Sequence, residues 1–380
     1  MLKKIPICVF ILFSALLLAT SVHALDISAE HAIIIEAESQ DIIYQKSAYT
    51  RAPMASTTKI MTAIVAIESG ALDNEIRIPS ECVGIEGSSI YLKEGEILTL
   101  RELLYALLLE SANDAATAIA ITVGGDISHF AELMNDKARK LGLNDTHFCN
   151  PHGLDDKDHY TTAYDLARLA RYAMTLPEFK EIVSTFKREI PSGDDATRLL
   201  VNHNRLLRGY EGAIGVKTGY TKKSVRCLVS CAERNGVRLI CVTLNAPSDW
   251  SDHKRLLDYG FERYERIELA RAYDYSLSLN CVNGAKANVS CSNISDLSIT
   301  LKKGDSSRLR AVFEGERFLF APACKGDLVG KIVYYLDDIS IASLDIYALE
   351  SVKSIKYKKS IFERIFCKNG KNKITKIFHG

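Results

Sequence analysis

Between Met54 and Glu68 the apolar residues Ile60, Met61, Ile64, Val65 and Ile67 return at helical spacing, with Pro53 just ahead of the run. That pattern predicts a buried helix. Thr99 and Glu102 form a T-x-x-E capping box before Leu103, Leu104, Leu107 and Leu108, so a second helix starts there and ends near Ser111. A third is expected from Ala115 to Val123, stopped by Gly124-Gly125. The period then changes: Cys227 to Cys231 and Val237 to Leu244 are β-rich runs around Asn235-Gly236, a strong hairpin signal. Helical spacing resumes from Lys254 to Tyr264, and beyond Leu269 short β-like runs alternate with Asn, Gly, Ser and Asp. The expected architecture is a mixed α/β (α+β) domain over 25–265 followed by a small all-β domain over 266–350.

The two ends carry a different signal. Met1-Leu2-Lys3-Lys4, an apolar run from Ile5 to Ala19 and the small-residue stretch Val22-His23-Ala24 have the form of a secretory signal peptide over 1–24. From Ser351 to Gly380 nine basic residues stand against Glu363 alone, a local charge of +8, and Ile361, Phe362, Ile365 and Phe366 mark one apolar helical face. This segment is expected to lie in the plane of an anionic membrane surface, as a basic amphipathic tail. The protein is therefore expected on the extracytoplasmic face of the cell membrane. A formal net charge of +1 over the whole chain gives no reason to expect a nucleic-acid partner. Without Cys8, which lies in the leader, the cysteines number nine, an odd count that argues against a complete disulfide framework. No metal-ligand spacing such as C-x-x-C or H-E-x-x-H occurs, so neither a metal nor a cofactor is expected.

Three short motifs then follow in order: Ser56-Thr57-Thr58-Lys59, Ser111-Ala112-Asn113 and Lys217-Thr218-Gly219. On a helix Ser56 and Lys59 share a face, so an amine could take the proton of the hydroxyl. Ser56 would sit where free backbone N–H groups and the positive end of the helix dipole favour an oxyanion. Read alone, the same letters also describe a helix cap and a solvated lysine, and Ser111 and Asn113 are ordinary capping residues. Lys217, Thr218 and Gly219 suit a strand edge that holds a carboxylate, with the glycine allowing close backbone approach.

Together with their flanks, Pro53-Met54-Ala55 before the first motif, Asp114-Ala115-Ala116 after the second, Asn150-Pro151-His152-Gly153-Leu154-Asp155, and Tyr220-Thr221 after the third, these residues carry a family resemblance. The chain resembles the low-molecular-mass penicillin-binding proteins, the D-alanyl-D-alanine carboxypeptidases of peptidase family S11, whose motif triple is that of penicillin-recognising serine acyl-transferases. The resemblance covers about Ala29 to Tyr264 and continues more faintly to Ser351. It implies a β-lactamase/transpeptidase-like catalytic domain, an acyl-enzyme on Ser56 with Lys59 as general base, and Ser111 relaying a proton to the leaving amine. It also implies that Asn113 binds the substrate's peptide carbonyl, Lys217 sets the local field and Thr218 grips the terminal carboxylate beside Gly219. The N–H groups of Ser56 and Tyr220 would form the oxyanion hole. Implied partners are peptidoglycan stem peptides ending in D-Ala-D-Ala, with β-lactams as covalent inhibitors.

Two departures stand out. The family often has an Ala-Gly pair where Ser224-Val225 stands, and often an arginine within the stretch occupied by Asp249-Trp250-Ser251-Asp252. His152 and His159 are read as structural, since nothing pairs them with Ser56. Two other functions compete with a carboxypeptidase: a β-lactamase and an inactive peptidoglycan-binding protein. The first wants a glutamate after the second motif, and none lies between Glu132 and Glu178. The second is disfavoured by the intact Ser56, Lys59, Ser111, Asn113 and Lys217.

Overall fold

A computed structural model describes residues 25–193 and 196–355. The leader 1–24 and the apolar-basic face at Ile361–Phe366 lie outside the described residues. The catalytic half is built on a five-stranded antiparallel sheet of β1 (His31–Glu36), β2 (Ile42–Lys46), β3 (Ala213–Thr221), β4 (Val225–Arg234) and β5 (Val237–Leu244). Its order is β2-β1-β5-β4-β3, so β3 is a sheet edge. Asn235-Gly236 turns β4 into β5, both residues at positive φ.

Ile33-Ile34-Ile35 is a continuous apolar run because both faces of this sheet are covered. Alternate side chains point to opposite faces. Ile33 and Ile35 join Ile240 and Val242 in the core beneath the helices. Ile34, Leu239 and Cys241 join Leu256 and Leu257 from the last helix on the other face. The longer helices are α1 (Lys59–Glu68), α2 (Leu100–Leu109), α3 (Asn113–Gly124), α4 (Ile127–Lys140), α5 (Ala163–Ala173), α6 (Pro177–Ser184) and α7 (Asp249–Arg263). Helix α1 is central and packs against α2, α3, α4, α5 and α6. The capping box at Thr99–Glu102 is formed: Thr99 N–H donates to Glu102 Oε2 at 2.7 Å, and Glu102 N–H to Thr99 Oγ1 at 3.2 Å.

Three element boundaries differ from the expectation. Ala55–Thr58 is a 3₁₀ turn, and α1 begins only at Lys59, because Thr57 and Thr58 each turn a hydroxyl back to a carbonyl three residues earlier. Helix α3 starts at Asn113 rather than Ala115, and α7 at Asp249 rather than Lys254. In both, polar residues of the first turn break the apolar period that signals the helix.

Strand β6 (Tyr264–Ala270) follows α7 directly and pairs with β9 (Leu297–Lys302). The second sheet contains β7 (Leu277–Val282), β8 (Asn288–Ser292), β10 (Leu309–Gly315), β11 (Phe318–Phe320), β12 (Leu328–Leu336) and β13 (Ile339–Ala348). Their order is β10-β12-β13-β8-β7-β11 around a separate apolar core that includes Val289, Ile332 and Ile346. Pairing does not stop at 350. Val352 bridges Ala323 and Ser354 bridges Gly284, so pairing within the β domain reaches Ser354. Val352 is buried, which ties down the start of what reads from the sequence as tail. Among the described residues no helix is long and apolar enough to cross a membrane, and the eight described cysteines are all unpaired.

Candidate active site

The turn that carries Ser56 is clamped from two sides by glycines. Ala55 sits at φ +47°, in the left-handed region. Its carbonyl lies against Gly153, where a Cβ would come within 2.0 Å of Ala55 O. Gly153 itself has φ +91°. On the other side a Cβ on Gly219 would stand 3.1 Å from Ser56 N. Strand β3 can therefore run directly past the serine backbone.

Lys59, one turn on from Ser56, is completely buried. Its Nζ is 3.0 Å from Ser56 Oγ, 2.7 Å from Asn113 Oδ1 and 2.7 Å from His152 O. The Asn113 amide is oriented by its Nδ2 donating to Glu86 O at 2.6 Å, which leaves Oδ1 to face the lysine. Two of the three partners of Nζ are thus carbonyl oxygens that only accept, whereas the third, a hydroxyl, can also donate. A neutral amine fits this set: two N–H bonds to the carbonyls and a lone pair toward the Ser56 hydroxyl. Burial pushes the Lys59 pKa well below the ordinary lysine value, and the charge of Lys217 pushes it the same way, while Asp114 opposes them.

Lys217 on β3 is also buried, and burial lowers it to about 7. It donates to Thr218 O at 2.9 Å. With Lys59 neutral and Lys217 protonated, one positive charge remains beside the serine. Ser56, Ser111, Thr218, Gly219 and Tyr220 line one open cleft of about 310 Å³. Ser111 stands in the α2–α3 connection at φ +60°. The structure thus gathers Ser56, Lys59 and Asn113 by direct contact and puts Thr218, Gly219, Tyr220 and Ser111 around the same space, with Lys217 buried behind them on β3.

Other residues of the site lie outside the three short motifs. Asp114 is buried and accepts from Ser89 Oγ at 2.6 Å, Leu92 N–H at 3.1 Å and Ile90 N–H at 3.3 Å, which fixes the loop forming one rim. An acid in the first turn of a helix is so common that its sequence gives no such hint. His159 supports the serine turn from below. Its Nδ1 accepts from Cys149 N–H at 3.0 Å, so Nε2 carries the proton and donates to Thr58 Oγ1 at 2.7 Å. That hydroxyl in turn donates to Ala55 O at 2.8 Å. Burial lowers His159 to about 4 and His152 to about 3, which keeps both neutral. His152 contributes its backbone oxygen to Lys59, a role for which a histidine side chain is no signal. His203, Arg205, Arg226, Asp249 and Trp250 also line the cleft.

Residues 18–248 match the family described as D-alanyl-D-alanine carboxypeptidase, Peptidase_S11. The chain belongs to this family. Residues 264–354 match the penicillin-binding protein 5 C-terminal domain. The chain is 31% identical over 336 residues to D-alanyl-D-alanine carboxypeptidase DacF of Bacillus subtilis, with 86% of each chain covered. Penicillin binding protein 5 of Haemophilus influenzae superposes with a TM-score of 0.67 at 29% identity, over 87% of this chain and 98% of that one. PBP3 of Streptococcus pneumoniae, named as a peptidoglycan synthesis regulatory factor, superposes with a TM-score of 0.72 at 25% identity, over 86% and 100%.

The turn after β3 carries a strained residue. Val225, a β-branched residue, sits at φ +55°, a conformation glycine adopts freely. Ser224 offsets part of the strain. Its Oγ accepts from Thr221 N–H at 3.0 Å and donates to Val225 O at 3.0 Å, so the side chain closes the turn.

Proposed function

We propose that this S11 D-alanyl-D-alanine carboxypeptidase removes the terminal D-Ala from peptidoglycan stem peptides through an acyl-enzyme on Ser56. The observation that supports it most is the environment of Lys59: a buried amine pushed toward neutrality, 3.0 Å from a hydroxyl, with its two N–H bonds taken by carbonyls. In the first step Ser56 Oγ bonds to the carbonyl carbon of the penultimate D-Ala while its proton passes to Lys59 Nζ. The oxyanion lies against the N–H groups of Ser56, at the start of the helical segment, and of Tyr220, on β3. Collapse breaks the peptide bond, and the departing amine takes a proton by way of Ser111. Asn113 holds the peptide carbonyl, Lys217 supplies the fixed positive charge, and Thr218 receives the terminal carboxylate beside Gly219. Water then attacks the ester and returns the free serine. A β-lactam opens on the same oxygen and leaves a covalent adduct.

The test is direct. Protein lacking residues 1–24 is expected to release D-alanine from a peptide ending in D-Ala-D-Ala and to gain the mass of one penicillin on the peptide containing Ser56, with Ser56→Ala abolishing both. An adduct mapped to another serine contradicts the assignment. We further infer that the leader directs export and that 355–380, with its basic and apolar residues, attaches the protein peripherally to the outer leaflet of the cell membrane.

A further inference from the structure

The oxyanion hole proposed above takes its two donors from segments far apart in the chain, Ser56 behind the Ala55 turn and Tyr220 on β3. Such a hole works only if both are held at one spacing. Strand β3 is a sheet edge, so no further strand of the sheet holds its outer side. Loop 150–159 stands against both donors. Gly153 lies under Ala55, the residue before Ser56. Two positions on, Asp155 Oδ1 accepts from Thr221 Oγ1 at 3.0 Å, and Thr221 is the residue after Tyr220. Among the described residues this is the one side-chain hydrogen bond from the loop to β3 or to the turn that follows it. The neighbouring acid behaves differently: Asp156 stays within its own loop, accepting from Asp158 N–H at 2.8 Å and from Cys149 Sγ at 3.5 Å.

A proton count shows why the Thr221 hydroxyl points to Asp155. A threonine hydroxyl has one proton to give. Thr221 Oγ1 accepts from Ser224 N–H at 3.0 Å, and Ser224 Oγ accepts from Thr221 N–H at 3.0 Å. The two hydroxyl oxygens also stand 3.0 Å apart, but Ser224 gives its own proton to Val225 O. The Thr221 proton is thus left for the carboxylate, in a charge-assisted bond. The same turn directs the backbone. Successive N–H groups of a strand point to opposite edges, and that of Thr221 is turned to Ser224, so that of Tyr220 points to the free edge.

We propose that Asp155 is a positioning residue that acts through the Thr221 hydroxyl, tying the end of β3 to loop 150–159 and so fixing the distance between the N–H groups of Tyr220 and Ser56. The proposal rests on the carboxypeptidase reading above and adds the residue that sets the spacing of its oxyanion hole. Asp155 is not one of the residues that line the cleft. Its loss therefore moves a donor without removing a substrate contact.

The experiment measures kinetics and two kinds of binding. Asp155→Ala is expected to lower kcat for D-alanine release about tenfold, with KM and the unfolding transition little changed. Asp155→Asn keeps an acceptor oxygen and is expected to retain most of the activity. Thr221→Val is expected to lose at least as much, and the double variant Asp155→Ala/Thr221→Val no more than Thr221→Val alone, because both act through one contact. A peptide boronic acid, with boron in place of the penultimate D-Ala carbonyl carbon, takes Ser56 Oγ as a ligand and sets an oxygen in the hole. Its affinity is expected to fall about tenfold in Asp155→Ala. Affinity for the D-Ala-D-Ala peptide itself, measured in Ser56→Ala protein, is expected to be the same with and without Asp155→Ala. An unchanged kcat in Asp155→Ala, equal weakening of boronate and peptide, or additive losses in the double variant overturn the proposal. A wild-type enzyme that releases no D-alanine and takes no penicillin defeats the underlying reading instead.

Discussion

At Lys59 three oxygen partners meet one amine, and the chemistry depends on how many protons that amine carries. An unperturbed lysine keeps its proton up to about pH 10. Here burial and the charge of Lys217 both act against the ammonium form. Burial lowers the Lys217 pKa to about 7. The two lysines act in opposite senses: acylation needs Lys59 deprotonated and is lost as pH falls, whereas the field of Lys217 needs a proton and is lost as pH rises. The rate of penicillin acylation against pH is therefore expected to be bell-shaped with its alkaline limb near 7, and a limb near 10 contradicts the burial argument. Both lysines were legible in the sequence because S-x-x-K and K-T-G place them. Asp114 stands in the flank of the second motif, but its hold on the 89–92 loop was not legible, since a first-turn acid looks the same wherever it stands.

At the scale of elements, the site depends on a turn and a loop more than on the helix that follows. The sequence shows a helix behind Pro53, yet apolar period cannot separate a 3₁₀ turn from the first turn of an α-helix, and Ser56 belongs to the turn. The loop 150–159 supports it through three contacts: Gly153 under Ala55, His159 on Thr58, and Pro151 O accepting from Thr62 Oγ1 at 2.6 Å. The same loop supplies His152 O to Lys59. Gly153→Ala adds a methyl within 2.0 Å of Ala55 O at a φ of +91°, so the loop must shift. The expected outcome is about 1–3 kcal/mol of lost stability in denaturant unfolding and a much larger fractional loss of acylation than of fold. Unchanged acylation would show that the loop does not set the geometry of Ser56 and Lys59. The capping box and the β4–β5 hairpin, by contrast, were plain from sequence because each is decided by residues within a few positions of one another.

Over the whole molecule, the β domain is joined to the catalytic domain without a linker, since α7 ends at Arg263 and β6 starts at Tyr264. Tyr264 is buried and donates to Asp41 Oδ2 at 3.2 Å, and Arg266 pairs with Glu38. These contacts cross between the domains, and nothing in the local pattern of either segment announces them. The basic residues beyond Ile355 lie outside the described residues, and their proposed role is at the membrane. A protein ending near residue 355 is expected to keep full carboxypeptidase activity but to stop sedimenting with anionic vesicles. High salt should weaken binding of the full chain only in part, because the apolar face remains. Equal sedimentation of the two proteins contradicts the anchor.

The account turns on Lys59 as the base that takes the Ser56 proton, and the measurement that reaches it most directly is the rate of penicillin acylation in Lys59→Arg. Arginine keeps the positive charge and approximate length but stays protonated at every accessible pH, so it cannot accept the proton. The account predicts a folded protein, judged by its unfolding transition, whose acylation is slower by about a hundredfold or more. Acylation at the wild-type rate would make Lys59 a structural charge and place the base elsewhere.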